Sequence, residues 1–187
     1  MSIQFLFRRT IWLLLCGVVL APWTVQAQSG NEYRIKAAFL YNFAQFVDWP
    51  PEAFAGTNAP FCIGILGEDP FGRALDQIIQ GENINGHPLA VHRARQIADL
   101  KDCQMIFVSK SERNKIAEIL SALGSRPVLA VSEIDGFAQR GGGINFYLEG
   151  NKVRFEINPL AAQHDNLKIS SQLLSLGKIV STGKEDK

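Results

Sequence analysis

The sequence predicts an α/β fold: a three-layer, mostly parallel sheet of flavodoxin/Rossmann-like type, with helices on both faces and an antiparallel hairpin at one edge. Three observations lead there. Short apolar runs alternate with amphipathic helical patterns between residues 61 and 134, the order that builds a parallel sheet. The stretch INFYLEGNKVRFEIN (144–158) is two alternating runs around Glu149-Gly150-Asn151-Lys152 and reads as a hairpin. The chain has 187 residues, 47% of them hydrophobic and 20% charged, which suits one packed domain and argues against disorder.

The amino terminus comes first. Arg8 and Arg9 precede the apolar run IWLLLCGVVLAPW, and Val25-Gln26-Ala27 places small residues at a cleavage position. This is the pattern of a Sec signal peptide. A permanent anchor is the alternative, but the run falls short of the roughly 20 residues a membrane span needs. We expect cleavage after Ala27, a leader over residues 1–27 and a single α/β domain over 28–187 in the periplasm. Cleavage takes away two arginines and no acid, so the formal charge moves from +1 to −1. No basic stripe remains, and nucleic-acid binding needs clustered Lys and Arg.

In KAAFLYNFAQFVDWPPEAF, residues Phe39, Leu40, Phe43, Phe46 and Val47 fall on one helical stripe, with Lys36, Asn42, Gln45 and Asp48 off it. The spacing predicts a helix packed on the sheet and ended by Trp49-Pro50-Pro51, because Pro cannot continue the ladder. FCIGILG (61–67) predicts the first strand, and Asp69-Pro70 a capped start for a short helix over 71–80. Asn85-Gly86 is a turn signal, and LAVHRA (89–94) the second strand. CQMIFVS (103–109) predicts a buried third strand, followed by a helix from Ser111 that Gly124 closes. PVLAVSEI (127–134) is the fourth strand. Gly141-Gly142-Gly143 predicts a flexible lead into the hairpin over 144–158. A last helix is expected over 165–180, with Leu167, Ile169, Leu173, Leu174, Leu176 and Ile179 as candidates for burial.

Cleavage of the leader leaves Cys62 and Cys103. In the strand order 2-1-3-4-5 the first and third strands are parallel neighbours, so both cysteines lie at the same end of the sheet. Neighbouring strands run about 4.8 Å apart, inside the Cα window of a disulfide. An even pair in an exported chain favours that bond over two buried free thiols.

Signals for chemistry are sparse. His87, His92 and His164 show no metal-ligand spacing, and no GxSxG elbow is present. His164-Asp165 reads as the polar start of the last helix. Gly67–Gly72 sits at the carboxyl end of the first strand, where open sheets bind ligands. Glu68 and Asp69 within it would repel phosphate, and it is neither GxGxxG nor a Walker A loop. The expectation is therefore no catalytic residues, no metal and no cofactor. The hairpin offers another possibility. Val153, Phe155 and Ile157 alternate with Arg154, Glu156 and Asn158, and Ile144, Phe146 and Leu148 with Asn145, Tyr147 and Glu149. Such faces are either core packing or a docking surface.

Four stretches, KAAFLYNFAQFVDWP, FCIGILGEDPFGRAL, DCQMIFVS and VRFEINPLAAQHDNLKISSQLLSLGKIV, together resemble the YfiR-like periplasmic repressor family over about residues 31–180. The resemblance implies a non-catalytic inhibitor that binds the periplasmic region of a YfiN-type membrane diguanylate cyclase and lowers cyclic di-GMP and biofilm formation. It also implies sequestration by an OmpA-like outer-membrane lipoprotein, a homodimer, and a regulatory role for the Cys62–Cys103 bond. The second cysteine pair of the best-known member is absent here. By position, Ile144, Phe146, Glu156 and Asn158 match the partner-binding area. A periplasmic small-molecule-binding or sensor module, centred on Gly67–Gly72, is the alternative.

Overall fold

The computed structural model describes residues 24–183. Contacts divide the chain into Met1–Asn31 and Glu32–Lys187. Of the first unit residues 24–31 are described, all helical. The expected leader lies outside the described residues except for its last four positions. Among the described residues no helix is long and apolar enough to cross a membrane.

The second unit carries the sheet. Helix α1 (Thr24–Phe46) leads to the short strand β1 (Val47–Asp48). Then follow β2 (Phe61–Leu66), α2 (Arg73–Ile79), β3 (Asn83–Ile84), β4 (His87–Ala94) and β5 (Met105–Val108). Next come α3 (Ile116–Leu123), β6 (Leu129–Ser132), β7 (Ile144–Glu149) and β8 (Lys152–Ile157). The chain ends through α4 (Pro159–His164), β9 (Lys168–Ile169), α5 (Ser171–Leu174) and β10 (Lys178–Ile179). Eight strands form the main sheet in the order β10-β8-β7-β6-β5-β2-β4-β3. The five predicted strands thus stand in the expected 2-1-3-4-5 order, with β2, β4, β5, β6 and β7 parallel along their ladders. The β7–β8 hairpin is antiparallel, Phe146 opposite Phe155.

Alternation along the strands makes the layers. In β5, Met105 and Phe107 join one apolar cluster, and Ile106 and Val108 the other, because successive side chains point to opposite faces. The first cluster takes α1 and Leu75 and Ile79 of α2. The second takes Ile116, Ile119 and Leu123 of α3. On α1, Phe43 stacks 5.5 Å from Phe146 and meets Phe155 edge-on at 5.1 Å. The opening aromatic stretch is therefore a scaffold helix on the hairpin, as its spacing predicts.

Several expectations need correction. Helix α1 stops at Phe46, not at Trp49: Val47 pairs antiparallel with Ile169, and Ser170 N–H donates to the Phe46 carbonyl at 2.9 Å. Trp49 instead turns back, its Nε1 donating to the Ala44 carbonyl at 2.9 Å. Lys36, expected off the apolar stripe, is 2% exposed. The glycine run is packed, not flexible. A Cβ at Gly142 would overlap the Phe137 ring, and one at Gly143 would sit 2.8 Å from Leu129 Cδ1.

The expected continuous helix over 165–180 is instead broken into β9, the single turn α5 and β10. Asn158 and Pro159 start a short helix earlier, as a capping side chain and a proline at the first helical position do. Asn166, at φ 56°, then turns the chain. Leu167 and Ile169 are buried by strand alternation, whereas Leu176 and Ile179 are 63% and 52% exposed. Gly177 lets the chain cross flush on the hairpin, since a Cβ there would lie 2.7 Å from Phe155 and 2.8 Å from Ile157. Strand β10 then pairs parallel with the end of β8 and covers part of that edge.

Candidate functional site

The hairpin holds the residues singled out for partner binding, and the structure separates them. Ile144 and Phe146 are interior residues of the α1-facing cluster. Asn158 is also fully buried. Its Oδ1 accepts from Ala161 N at 3.1 Å, and its Nδ2 donates to the Ala138 carbonyl at 2.8 Å and to Thr182 Oγ1 at 3.0 Å. Those three side chains therefore present no free surface to another molecule. Glu156 does reach the surface, 12% exposed, accepting from Gln139 Nε2 at 3.0 Å and Lys178 Nζ at 3.3 Å. On its strand face, Arg154 pairs with Glu149 at 3.3 Å, and Tyr147 lies opposite Arg154. The margin adds three exposed apolar side chains, Leu148, Leu176 and Ile179.

The Gly67–Gly72 loop, at the carboxyl end of β2, is filled by the chain itself. Ser111 and Glu112 crowd the position a Cβ on Gly67 would take, and Glu68 N–H donates to Ser111 Oγ at 3.0 Å. Arg93 clamps the rest, at 2.6 Å from Asp69 Oδ2, 2.6 Å from Asp76 Oδ2 and 2.9 Å from the Gly72 carbonyl. The Arg93 hydrogen bond holds the Asp76 carboxyl below the usual carboxylate range, against a smaller opposing effect of burial.

A polar cluster that sequence reasoning missed lies just past β6. Glu133 is 5% exposed and bonds the buried Lys36 ammonium, which also pairs with Glu32 one helical turn back. Tyr33 Oη donates to Glu133 at 2.9 Å, and the Lys110 ammonium stands 3.5 Å away. Burial, then the charge and hydrogen bond of Glu133, pushes the Tyr33 phenol well above its ordinary range, so it stays a donor. The four charges balance, and each carboxylate has a cation. The arrangement pins α1 to the carboxyl edge of the sheet. The only available signal was that Lys36 shares a face with Leu40, Phe43 and Val47, at i, i+4, i+7 and i+11.

At the opposite end of β2, Cys62 and Cys103 form a disulfide with Cα atoms 4.5 Å apart, as the layout predicts. Gln104 brackets it: its side chain accepts from Cys62 N–H at 2.8 Å, and its own N–H donates to the Cys62 carbonyl at 3.1 Å.

The four quoted stretches carry the carboxyl-terminal part of α1 together with β2, β5 and β8 of this parallel core, which a hairpin closes and the Cys62–Cys103 disulfide staples. A family model described as YfiR/HmsC-like matches residues 33–178, well over half of the chain. The chain belongs to the YfiR/HmsC-like family. That family is periplasmic and regulatory, without catalysis of its own. The match covers α1 from Tyr33 through the start of β10, so it takes in the hairpin, the disulfide and all of the polar cluster but Glu32.

Proposed function

We propose that the mature chain is a periplasmic repressor that binds the periplasmic region of a YfiN-type inner-membrane diguanylate cyclase and holds it inactive. The observation that carries this reading is the YfiR/HmsC-like match over residues 33–178. Export through a Sec leader cleaved after Ala27 brings the chain to that compartment. Repression lowers cyclic di-GMP in the cytoplasm, and with it biofilm formation. The chain acts as a homodimer, and an OmpA-like outer-membrane lipoprotein relieves repression by sequestering it.

The partner face we assign is the outer side of the hairpin. Glu156 and Arg154 give it polar specificity, and the half-buried Tyr147 opposite Arg154 gives it aromatic area, with the exposed Leu148 and Ile179 on the other face of the sheet. Ile144, Phe146 and Asn158 serve this face from behind, by fixing the position of β7 and β8. A mixed apolar and charged surface of this kind suits a regulated protein contact.

The test is genetic and direct. Deleting the gene in a strain with an intact cyclase should raise cyclic di-GMP and biofilm, and the parent gene should restore both. A Glu156→Lys variant, exported at parental level, should fail to restore them. Unchanged cyclic di-GMP on deletion would refute the proposal.

A further inference from the structure

The disulfide has a third neighbour. Ligand atoms of Cys62, Cys103 and His92 all lie within 4.8 Å of one another. They come from three different segments. Gly64 stands two residues after Cys62 on β2, and His92 on β4 is its registered partner, so Cys62 and His92 share one face of the sheet. The missing side chain at Gly64 keeps the space between them open. A Cβ there would sit 3.3 Å from Cys103 Sγ and 3.1 Å from the Leu100 methyls.

From this cluster we infer a redox-gated zinc site: once the disulfide is reduced, Cys62, Cys103 and His92 bind one Zn²⁺ ion. The inference rests on the two cysteines, His92 and Gly64 and is independent of any partner of the chain. In the first step a dithiol reductant gives two electrons and two protons. The S–S bond breaks, two thiols form, and the reductant becomes a disulfide. In the second step both thiols lose their protons to solvent as two Zn–S bonds form, and neutral His92 supplies the third ligand. Water completes the tetrahedron.

Geometry favours this outcome. Zinc lies about 2.3 Å from thiolate sulfur and about 2.0 Å from imidazole nitrogen. Ligand atoms of a tetrahedral site therefore stand roughly 3.5–3.8 Å apart. The sulfurs must part from bonding distance, and the exposed His92 ring must close in by about 1 Å. The backbone need not move, because the Gln104 bracket and the β2–β4 ladder hold the three segments without help from the S–S bond. Two thiolates and a neutral imidazole cancel the charge of Zn²⁺. Thiolate and imidazole donors also select zinc over magnesium or calcium.

The test uses the mature protein in oxidised form and after phosphine reduction without oxygen, titrated with zinc against a chromogenic chelator. The reduced parent should take up one zinc per chain, and the oxidised parent none. His92→Ala should bind at least tenfold more weakly than the parent. Cobalt(II) in place of zinc should give thiolate charge-transfer absorption that Cys62→Ser removes. Equal binding by the reduced parent and by Cys62→Ser/Cys103→Ser would overturn the proposal, as would a His92→Ala variant that binds like the parent. If reduction unfolds the chain, zinc should restore its near-ultraviolet circular dichroism in the parent and not in His92→Ala. Failure to restore it would overturn the proposal too.

Discussion

Replacing Lys36 by Met should be among the most damaging single changes in the compact unit. Lys36 and Glu133 side chains are each 3% exposed, and Lys36 also reaches Glu32, whose side chain is 22% exposed. Removing one partner of a buried pair costs about 3–5 kcal/mol, because the other charge is left in the interior. Here Glu133 would keep the Tyr33 hydroxyl at 2.9 Å and the Lys110 ammonium at 3.5 Å, which places the cost near the lower end, about 3 kcal/mol. For a chain of this size that lowers the melting temperature by roughly 6–12 °C. Glu32→Gln, at the more open partner, should cost only about 0–1 kcal/mol. In the double variant Lys36→Met/Glu133→Gln no buried charge is stranded, and the new amide oxygen still accepts from Tyr33. The two changes should therefore cost about 2 kcal/mol less together than their separate costs added. Urea denaturation of the four proteins of the cycle measures this. Costs that add within about 0.5 kcal/mol, or a Lys36→Met cost below about 1 kcal/mol, would refute the reasoning.

Three further outcomes follow from the disulfide and from the Arg93 clamp. The disulfide closes a loop with a sequence separation of 41 residues, so Cys62→Ala/Cys103→Ala should lower stability by up to about 4 kcal/mol on the chain-entropy account. Denatured, unreduced parent should meanwhile react with no thiol reagent at Cys62 or Cys103. The Asp76–Arg93 contact fixes a pH dependence. Asp76 has a lowered folded-state pKa, so its contribution is present above the usual carboxylate value near 3.9 and is lost as pH falls through the folded value. Arg93→Gln should thus reduce stability at pH 7, by an amount kept small by the exposure of both groups, and lose that effect as pH falls through the lowered folded-state value of Asp76. A deficit unchanged across that range would contradict the assignment.

The sequence made the parallel core legible because its strands are short apolar runs bounded by turn residues. FCIGILG, CQMIFVS and PVLAVSEI each contain the observed strand, a residue or two longer at one or both ends. The disulfide followed from strand order, since only neighbouring strands bring Cys62 and Cys103 within reach. Residues 165–180 misled because Ile169, Leu173 and Leu176, at i, i+4 and i+7, satisfy a helical stripe on paper. Tertiary pairing of Ile169 with Val47 and the passage of Gly177 over Phe155 decide otherwise. The sequence puts Lys36 off the apolar stripe because lysine is almost never buried without a partner, and its partner Glu133 is 97 residues away. The hairpin face was half visible. Alternation told which side chains share a face, but Asn158 was placed on the surface side, and only its hydrogen bonds to Ala138 and Thr182 reveal it as an interior knot. His92 carried no motif spacing, because Cys62 sits on β2 and Cys103 just before β5.

The central claim is that this chain regulates by binding another protein. Purified mature protein, oxidised, should be titrated against the isolated periplasmic region of a YfiN-type cyclase from the same genome, followed by calorimetry. Saturable binding that Glu156→Lys weakens at least tenfold, with the variant folded as the parent, is the predicted result. No heat and no co-elution at concentrations up to tens of micromolar, about the weak end of specific protein contacts, would contradict the account.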